Sequence, residues 1–436
     1  MGSTAGRWRS YGVEKQMEEV MKRRSNGVDS RVFSFEEINS ITGDFDKNNL
    51  IGEGGFGKVY KGVVNYDSKG QIMAAFKRLD SSCGQGDPEF LKEIMMLSQY
   101  MHDNLIILLG YCHEDGEKIL VYEYAALGSL DVHLSSTTLT WTRRLKICLG
   151  AARGLCYLHD RNDTHQSVIH RDIKKSSNIL LDEHWNAKVS DMGLSKIRPT
   201  NQPQSFIVTN VVGTFLYLDP MYMETSILTS KSDVYSFGVV LFEVLCGSLC
   251  FVKKNDSIMS LVRLWKKSYK DKKLEEIVFH HLKQDMDVRS LETFSKIAYQ
   301  CLQKYREQRP SMYDVVEELE LALNFQEEFS RIELTKRANI VANLFPIMLE
   351  LVMLTQIQDS KSQDKALKSE NTIRSLQFQF NETSQPSSRL RLLPPSPVFS
   401  LLLPCAVVPS SPLRRRCPCF FSHASSPYCL LILSEF

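Results

Sequence analysis

Apolar positions change their spacing along the chain, and the change divides it. Over residues 49–64 and 72–78 they come as short runs of β-branched and aromatic side chains, parted by the turn formers of residues 65–70, which predicts strands joined by a loop. Over residues 89–100 the spacing becomes helical, with Phe90, Ile94, Leu97 and Met101 on one face. After Gly128 helices dominate. One is expected over 142–159. Another is expected over 234–245, apolar almost all round and therefore buried. A third is expected over 312–323, where Met312, Val315, Val316, Leu319 and Leu323 form one stripe behind Ser311 as N-cap. The architecture this predicts is α+β, a small β-rich lobe followed by a larger helical one.

Residues 1–30 are a polar tail in which 14–24 suit a short surface helix, and no secretory signal opens them. Residues 31–44, R-V-F-S-F-E-E-I-N-S-I-T-G-D, are an amphipathic lead-in whose Phe33, Phe35, Ile38 and Ile41 suit packing on a neighbouring domain. Residues 45–325 have the alternation of a globular domain, with the lobes dividing near 124. Beyond about 330 the pattern decays. Residues 384–433 carry no acidic side chain and nine of the fifteen prolines follow position 380, so 331–436 are expected to be a disordered tail. No membrane span is expected: the run 234–245 is too short, and 340–354 is interrupted by Pro346 and Glu350.

Composition removes several classes of function. The 53 basic and 51 acidic residues nearly cancel to +2, so a nucleic-acid partner is not expected. Eleven cysteines without a C-x-x-C pair suit neither a zinc ribbon nor a disulfide framework. Reduced thiols in a cytosol-facing compartment are the expectation.

Two segments carry chemistry on their own. Residues 52–59, G-E-G-G-F-G-K-V, fit G-x-G-x-x-G-x-V. Glycines let backbone N–H groups approach phosphate oxygens closely. Dinucleotide folds use a similar loop, but there it opens a helix and an acidic residue follows. Here Val59, Tyr60 and Val63 continue as a strand, and the next notable charge is Lys77, which favours a triphosphate. Lys77 ends an apolar strand, A-A-F-K, and a half-buried ammonium needs a partner. Phosphate and the carboxylate of Glu93 can both supply one.

Residues 168–194 read V-I-H-R-D-I-K-K-S-S-N-I-L-L-D-E-H-W-N-A-K-V-S-D-M-G-L. With R-V-F-S-F-E-E-I at 31–38, L-V-Y-E-Y at 120–124, G-S-L at 128–130, N-V-V-G-T-F-L-Y-L-D-P at 210–220, S-D-V-Y-S-F-G-V-V-L-F-E-V-L at 232–245 and R-P-S-M at 309–312, the chain resembles the eukaryotic protein kinases. More closely, it looks like the plant receptor-like kinases of the receptor-like cytoplasmic type, and resembles the subgroup that includes the FERONIA-type kinases. The resemblance covers about residues 33–325 and implies the bilobal kinase fold.

It also implies roles. Ile51, Gly52, Glu53, Gly54, Gly55, Phe56, Gly57, Lys58, Val59 and Ala75 would cover ATP. Tyr122 would stand at the gate to the adenine pocket, with Glu123, Tyr124 and Ala125 as the hinge. Lys77 would hold the α- and β-phosphates and pair with Glu93. Asp172 would accept the proton of the substrate hydroxyl, Lys174 would meet the γ-phosphate, and Asn178 and Asp191 would hold Mg²⁺. The Lys two residues after Asp172 favours Ser/Thr substrates over Tyr. Arg171 implies control by activation-loop phosphorylation at Ser205, Thr209 or Thr214, although Thr214 equally suits a structural role beside Asp172. A protein substrate and a membrane receptor complex are the implied partners, in the cytoplasm or at the inner face of the plasma membrane.

The chain departs from the kinase pattern in three places. Five residues rather than four separate Asp172 from Asn178, as if one Lys were inserted, and the surplus is expected to displace Asn178. Asp-Met-Gly replaces Asp-Phe-Gly, with Met192 as an equivalent apolar plug. Met221 stands where the family has a Glu, so Arg309 is expected to lose its partner, and Leu216 replaces a glycine. The rival reading is a weak or inactive pseudokinase that binds nucleotide and acts as a docking scaffold.

Overall fold

The computed structural model describes residues 31–359, apart from 56, 67–69, 81–86, 115, 161–165, 174–175, 199–205 and 255–256. The chain divides into two units, 1–339 and 340–436. The first holds both lobes.

The lead-in forms strand β1 (Arg31–Val32) and helix α1 (Phe35–Thr42), which Ser34 caps by accepting the Glu37 N–H. Strands β2 (Leu50–Gly54), β3 (Gly57–Tyr66) and β4 (Gly70–Arg78) follow, then helix α2 (Asp87–Gln99) and strands β5 (Leu108–Glu114) and β6 (Glu117–Glu123). Met101, expected on the stripe of α2, lies beyond its end and is exposed. The sheet runs β1-β5-β6-β4-β3-β2, antiparallel except for β1, which pairs parallel with β5. Phe33 and Ile38 are therefore not offered to a neighbouring domain. They are fully buried against Tyr60, Val64, Ala74 and Phe76 on the outer face of their own sheet.

The two-residue period of a strand then sorts β4 and β6. Ala74 and Phe76 of β4, with Ile119 and Val121 of β6, face α1, whereas Ala75, Leu120 and Tyr122 join the main core on the other face. Lys77, next in the alternation after Ala75, is thus aimed at the second lobe.

That lobe is built on helices α3 (Trp141–His159), α4 (Pro220–Thr225), α5 (Ser230–Cys246), α6 (Val262–Lys270), α7 (Val288–Cys301) and α8 (Met312–Asp359), with short strands β7 (Gly128–Ser129), β8 (Val168–Ile169), β9 (Ile179–Leu181) and β10 (Ala187–Val189) at its upper edge. From Ser232 to Leu245 every side chain of α5 is buried, as its all-round apolar sequence requires. Around it pack Trp141, Phe294, Val315 and Leu319 in one core.

Helix α8 departs from expectation. It does not stop near 325 but runs to Asp359, so residues 331–359 are helical where a disordered tail was expected. The fully buried stripe ends near Gln326, and the helix continues beyond it with half-buried and exposed side chains and with Pro346 inside it. No helix among the described residues is long and apolar enough to cross a membrane. The rest of the expected tail, 360–436, lies outside the described residues, as do 1–30.

Candidate active site

A cleft of about 640 Å³ lies between the sheet and the helical lobe. Its upper wall is Ile51, Gly52, Glu53, Gly54, Gly55, Gly57 and Val59 with Ala75, and its back is Tyr122, Glu123, Tyr124 and Ala125. Phe56 lies outside the described residues. Lys58 is not part of the wall; its ammonium is 3.7 Å from Glu53 on the exposed side of the hairpin. Gly57 has φ +116, and a Cβ there would meet the Arg78 carbonyl oxygen at 2.0 Å, so the tight turn over the cleft admits only glycine. The Glu123 amide, one of the expected hinge donors, already donates to the Ile107 carbonyl at 3.0 Å.

At the inner end, Lys77 Nζ lies 3.4 Å from Glu93 Oε2 and 3.1 Å from Asp191 Oδ1. Burial alone would neutralise this ammonium, but the Asp191 and Glu93 carboxylates outweigh it and raise the Lys77 pKa. Lys77 is held as a cation. Glu93 is 3% exposed, and burial pushes its carboxyl up, against the pull of Lys77. Its second oxygen accepts the Tyr122 hydroxyl at 2.7 Å. The gate residue therefore fixes the same carboxylate as the phosphate-binding lysine.

The segment carrying Asp172 hangs from α5. Asp233, itself 1% exposed, accepts the backbone N–H groups of His170 and Arg171 at 2.7 Å and the ring Nε2 of His159 at 2.8 Å. Asn178 Nδ2 donates to the Asp172 carbonyl at 2.9 Å, which turns its amide oxygen away from Asp172. Ser190 N–H in turn donates to the Asn178 carbonyl at 3.0 Å. Asn178 and Asp191 thereby share one wall of the cleft. Asp191 has φ +69, and Met192 after it is fully buried in the main core. Lys174 lies outside the described residues.

An amide oxygen and a carboxylate on one wall suit a hard cation that keeps substrate phosphates and water as its other ligands. The described residues hold no cluster of three or more His, Cys, Asp or Glu fit to cage a metal alone. The donor set therefore fits Mg²⁺ carried in with a nucleotide.

Arg171, at φ +73, turns its guanidinium to the Tyr222 hydroxyl at 2.9 Å, the Asn210 carbonyl, and Thr209 Oγ1 at 3.3 Å. Lys92 on α2 has its pKa lowered by burial and then by Lys196 and Arg171, so a second and a third basic group lie near Arg171. Sequence reasoning missed both lysines. Ser205 lies outside the described residues, and Thr214 lines the cleft.

Arg309 is not left without a partner. Its guanidinium meets Asp219 Oδ1 at 2.5 Å and the carbonyls of Gln303, Lys231 and Lys304 at 2.7–2.9 Å. A carboxylate two residues before Met221 does the work expected of a Glu at 221. Sequence reasoning also missed Asp131, Ser177 and Leu180, which line the cleft, and Asp233; each acts through a position that only the fold brings to the site.

Residues 45–319 match the family model described as protein tyrosine and serine/threonine kinase. A receptor-like protein kinase of Arabidopsis thaliana is 47% identical over 307 residues, and the same plant's receptor-like protein kinases ANXUR2 and FERONIA are 46% and 45% identical over 301 and 304 residues. Each comparison covers 68% of this chain and 33–34% of the relative. The chain thus spans about a third of the length of these relatives.

Proposed function

The chain belongs to the protein tyrosine and serine/threonine kinase family, and on that premise we propose that it transfers the γ-phosphoryl group of ATP to Ser or Thr hydroxyls of a protein substrate. The observation that carries the reading is Lys77 held as a cation between Glu93 and Asp191, with the glycine turn above and Asn178 on the facing wall.

Phosphoryl transfer asks a protein mainly for positioning and charge complementarity. The backbone of residues 52–57 covers the triphosphate, and Lys77 meets its α- and β-phosphates while Glu93 and Tyr122 keep the ammonium in place. Asp172, fixed through the backbone that Asp233 holds, orients the attacking hydroxyl and receives its proton. Asn178 and Asp191 would hold Mg²⁺, which would supply neutralisation of phosphate charge. Lys174 is the proposed γ-phosphate contact.

Thr209 is the favoured regulatory site. A phosphate there would enter a field made by Arg171, Lys92 and Lys196, with Arg171 already within reach of its hydroxyl. Similarity to receptor-like kinases supports a signalling role beside a membrane receptor complex, in the cytoplasm at the inner face of the plasma membrane.

The longer loop between Asp172 and Asn178 favours the rival, a nucleotide-binding docking scaffold. Incubating the purified chain with ATP and Mg²⁺, beside Asp172→Asn, separates the two. Phosphoserine or phosphothreonine that vanishes in Asp172→Asn supports the kinase; saturable ATP binding without incorporation supports the scaffold.

A further inference from the structure

Between α5 and α6 the chain forms a two-stranded hairpin, Phe251–Lys254 paired antiparallel with Ser257–Ser260. Its base is fixed. Cys250 is fully buried, the Leu261 N–H donates to the Cys250 carbonyl at 2.8 Å, and Phe251 and Leu261 pack on the main core. Beyond the base the apolar side chains lose that cover. Val252 and Met259 stand opposite each other across the strands and are 41% and 54% exposed. Ile258, which the two-residue period puts on the other face of the ribbon, is 59% exposed. Two strands alone are marginal in water, and bare apolar side chains on both faces mark a surface that meets something else.

The helix that follows directly supplies charge. Val262 and Trp265 anchor α6, the Trp265 ring stacking on Phe242 at 5.6 Å. At 3.6 residues per turn, Lys270, Arg263, Lys267 and Leu264 then fall side by side on the opposite arc, and all four are exposed. Among the described residues none of these three cations has an ion-pair partner. Residues 261–273 hold six basic side chains and one acidic one. Glu275 and Glu276 come next, and Glu276 is already taken by Lys273 at 3.3 Å.

We propose that this face docks on an anionic lipid surface. Val252, Ile258, Met259 and Leu264 enter the headgroup region, and Arg263, Lys267 and Lys270 meet the negative charges of the lipids. Apolar insertion or a basic patch holds a protein only weakly on a bilayer by itself, and the two together give firm attachment. The two-sided ribbon decides between occupants, because only a medium that closes around it covers both faces. An acidic peptide would satisfy the cations and leave the ribbon bare, and a second copy would set like charges against each other. The inference gives the membrane placement in the reading above a contact surface and rests on that placement alone. None of these residues lines the cleft.

The test is cosedimentation of the full chain with vesicles of phosphatidylcholine, made with or without phosphatidylserine. The chain should bind the phosphatidylserine vesicles, bind phosphatidylcholine alone about tenfold more weakly or worse, and let go as salt is raised. Lys267→Gln and Lys270→Gln should each weaken binding about fivefold. Ile258→Thr combined with Met259→Thr should weaken it about tenfold or more by withdrawing apolar surface, while threonine keeps the strand preference. Melting temperature and ATP binding should match the parent in each. Should the threonine pair disturb the hairpin, Leu264→Gln on the helix should weaken binding in the same direction. Failure of the parent to bind phosphatidylserine vesicles would overturn the proposal. So would binding that all these variants retain, which would assign the contact to another segment. Capture of a polyglutamate peptide in place of vesicles would give the face to an acidic protein segment, and self-association lost in Met259→Thr without vesicle binding would give it to a second copy. Phosphate incorporation measured on the same samples without vesicles keeps a failed kinase reading apart from failed docking.

Discussion

Asp219 and Arg309, ninety positions apart, meet at 2.5 Å with both side chains wholly buried. Asp219 also caps α4 by accepting the Met221 N–H at 2.9 Å and accepts the Ser232 hydroxyl at 2.9 Å. One carboxylate thus anchors the end of the activation segment to α5 and to the loop before α8. Removing one partner of a buried pair strands the other charge, at a cost of about 3 to 5 kcal/mol. Asp219→Ala should lose that much in denaturant unfolding. Met221→Glu should gain almost nothing, because Arg309 has no unmet need. A large gain would show that the Asp219 pair is weak.

Lys77→Met should abolish phosphotransfer with the fold retained. It removes the cation between Glu93 and Asp191, so the buried Glu93 carboxyl, already pushed up by burial and no longer pulled down by Lys77, then favours its protonated form. The variant's stability should therefore rise relative to the parent as pH falls, which thermal melts across pH would detect. Full phosphotransfer by Lys77→Met would show that the site assignment is wrong.

Tyr122→Phe leaves the gate filled but removes the hydroxyl that holds Glu93 at 2.7 Å. A lost hydrogen bond to a buried charged group is worth about 1.5 to 3 kcal/mol. The expected result is a fall in kcat of about tenfold or more, with ATP affinity nearly kept. Loss of affinity at constant kcat would assign Tyr122 to the adenine pocket alone.

Glu243 gives the chain a pH signature. Burial pushes its carboxyl up from 4.5 to about 7, against hydrogen bonds from Tyr217, the Cys250 N–H and Ser176. The folded chain thus holds this proton more tightly than the unfolded chain between those two values. The parent should accordingly gain stability over Glu243→Gln as pH falls from about 7.5 to about 5.5, by roughly 2 kcal/mol. The facing groups do not confuse the reading: burial raises the pKa of Tyr217 and Cys246 and pushes Cys250 up to about 12, so all three stay neutral in that window. A flat difference across pH would show that Glu243 keeps an ordinary pKa.

The long last helix has a sharp boundary of importance. Val315, Leu319 and Ala322 are fully buried, and Gln326 accepts the Asp287 N–H at 2.8 Å while donating to the Asp285 carbonyl at 2.7 Å. From Glu333 on, the side chains of residues 334–341 are all exposed. A chain ending at 331 should melt with the full chain; one ending at 324 should melt several degrees lower, because Gln326 leaves two buried backbone groups unsatisfied.

Much of the site was legible because strand and helix periods aim side chains without knowledge of the partner. The alternation Ala74, Ala75, Phe76, Lys77 sends Lys77 to the cleft as soon as Phe76 is assigned outward, and the spacing of Phe90 and Ile94 then turns Glu93 inward. The partner of Arg309 was not legible. The kinase pattern directs attention to position 221, and only the turn before α4 shows that Asp219 points the same way. Lys92 and Lys196 look like ordinary surface lysines until the activation segment folds over Arg171. The length of α8 was obscure for a different reason: its fully buried stripe ends near 326, so the apolar period that marks the first part of the helix fades beyond it.

The parallel pairing of β1 with β5 decides where this kinase domain can be cut. The family match begins at residue 45, but Arg31 and Val32 occupy the hydrogen-bonding edge of β5 opposite Gly110 and Tyr111, and Phe33 beside them is wholly shielded from water. A chain shortened to the family boundary would bare an unpaired strand edge next to a patch of aromatic and aliphatic surface, the arrangement that recruits strands from other molecules. Self-association in solution, rather than loss of chemistry, is the penalty that such a shortened chain would carry.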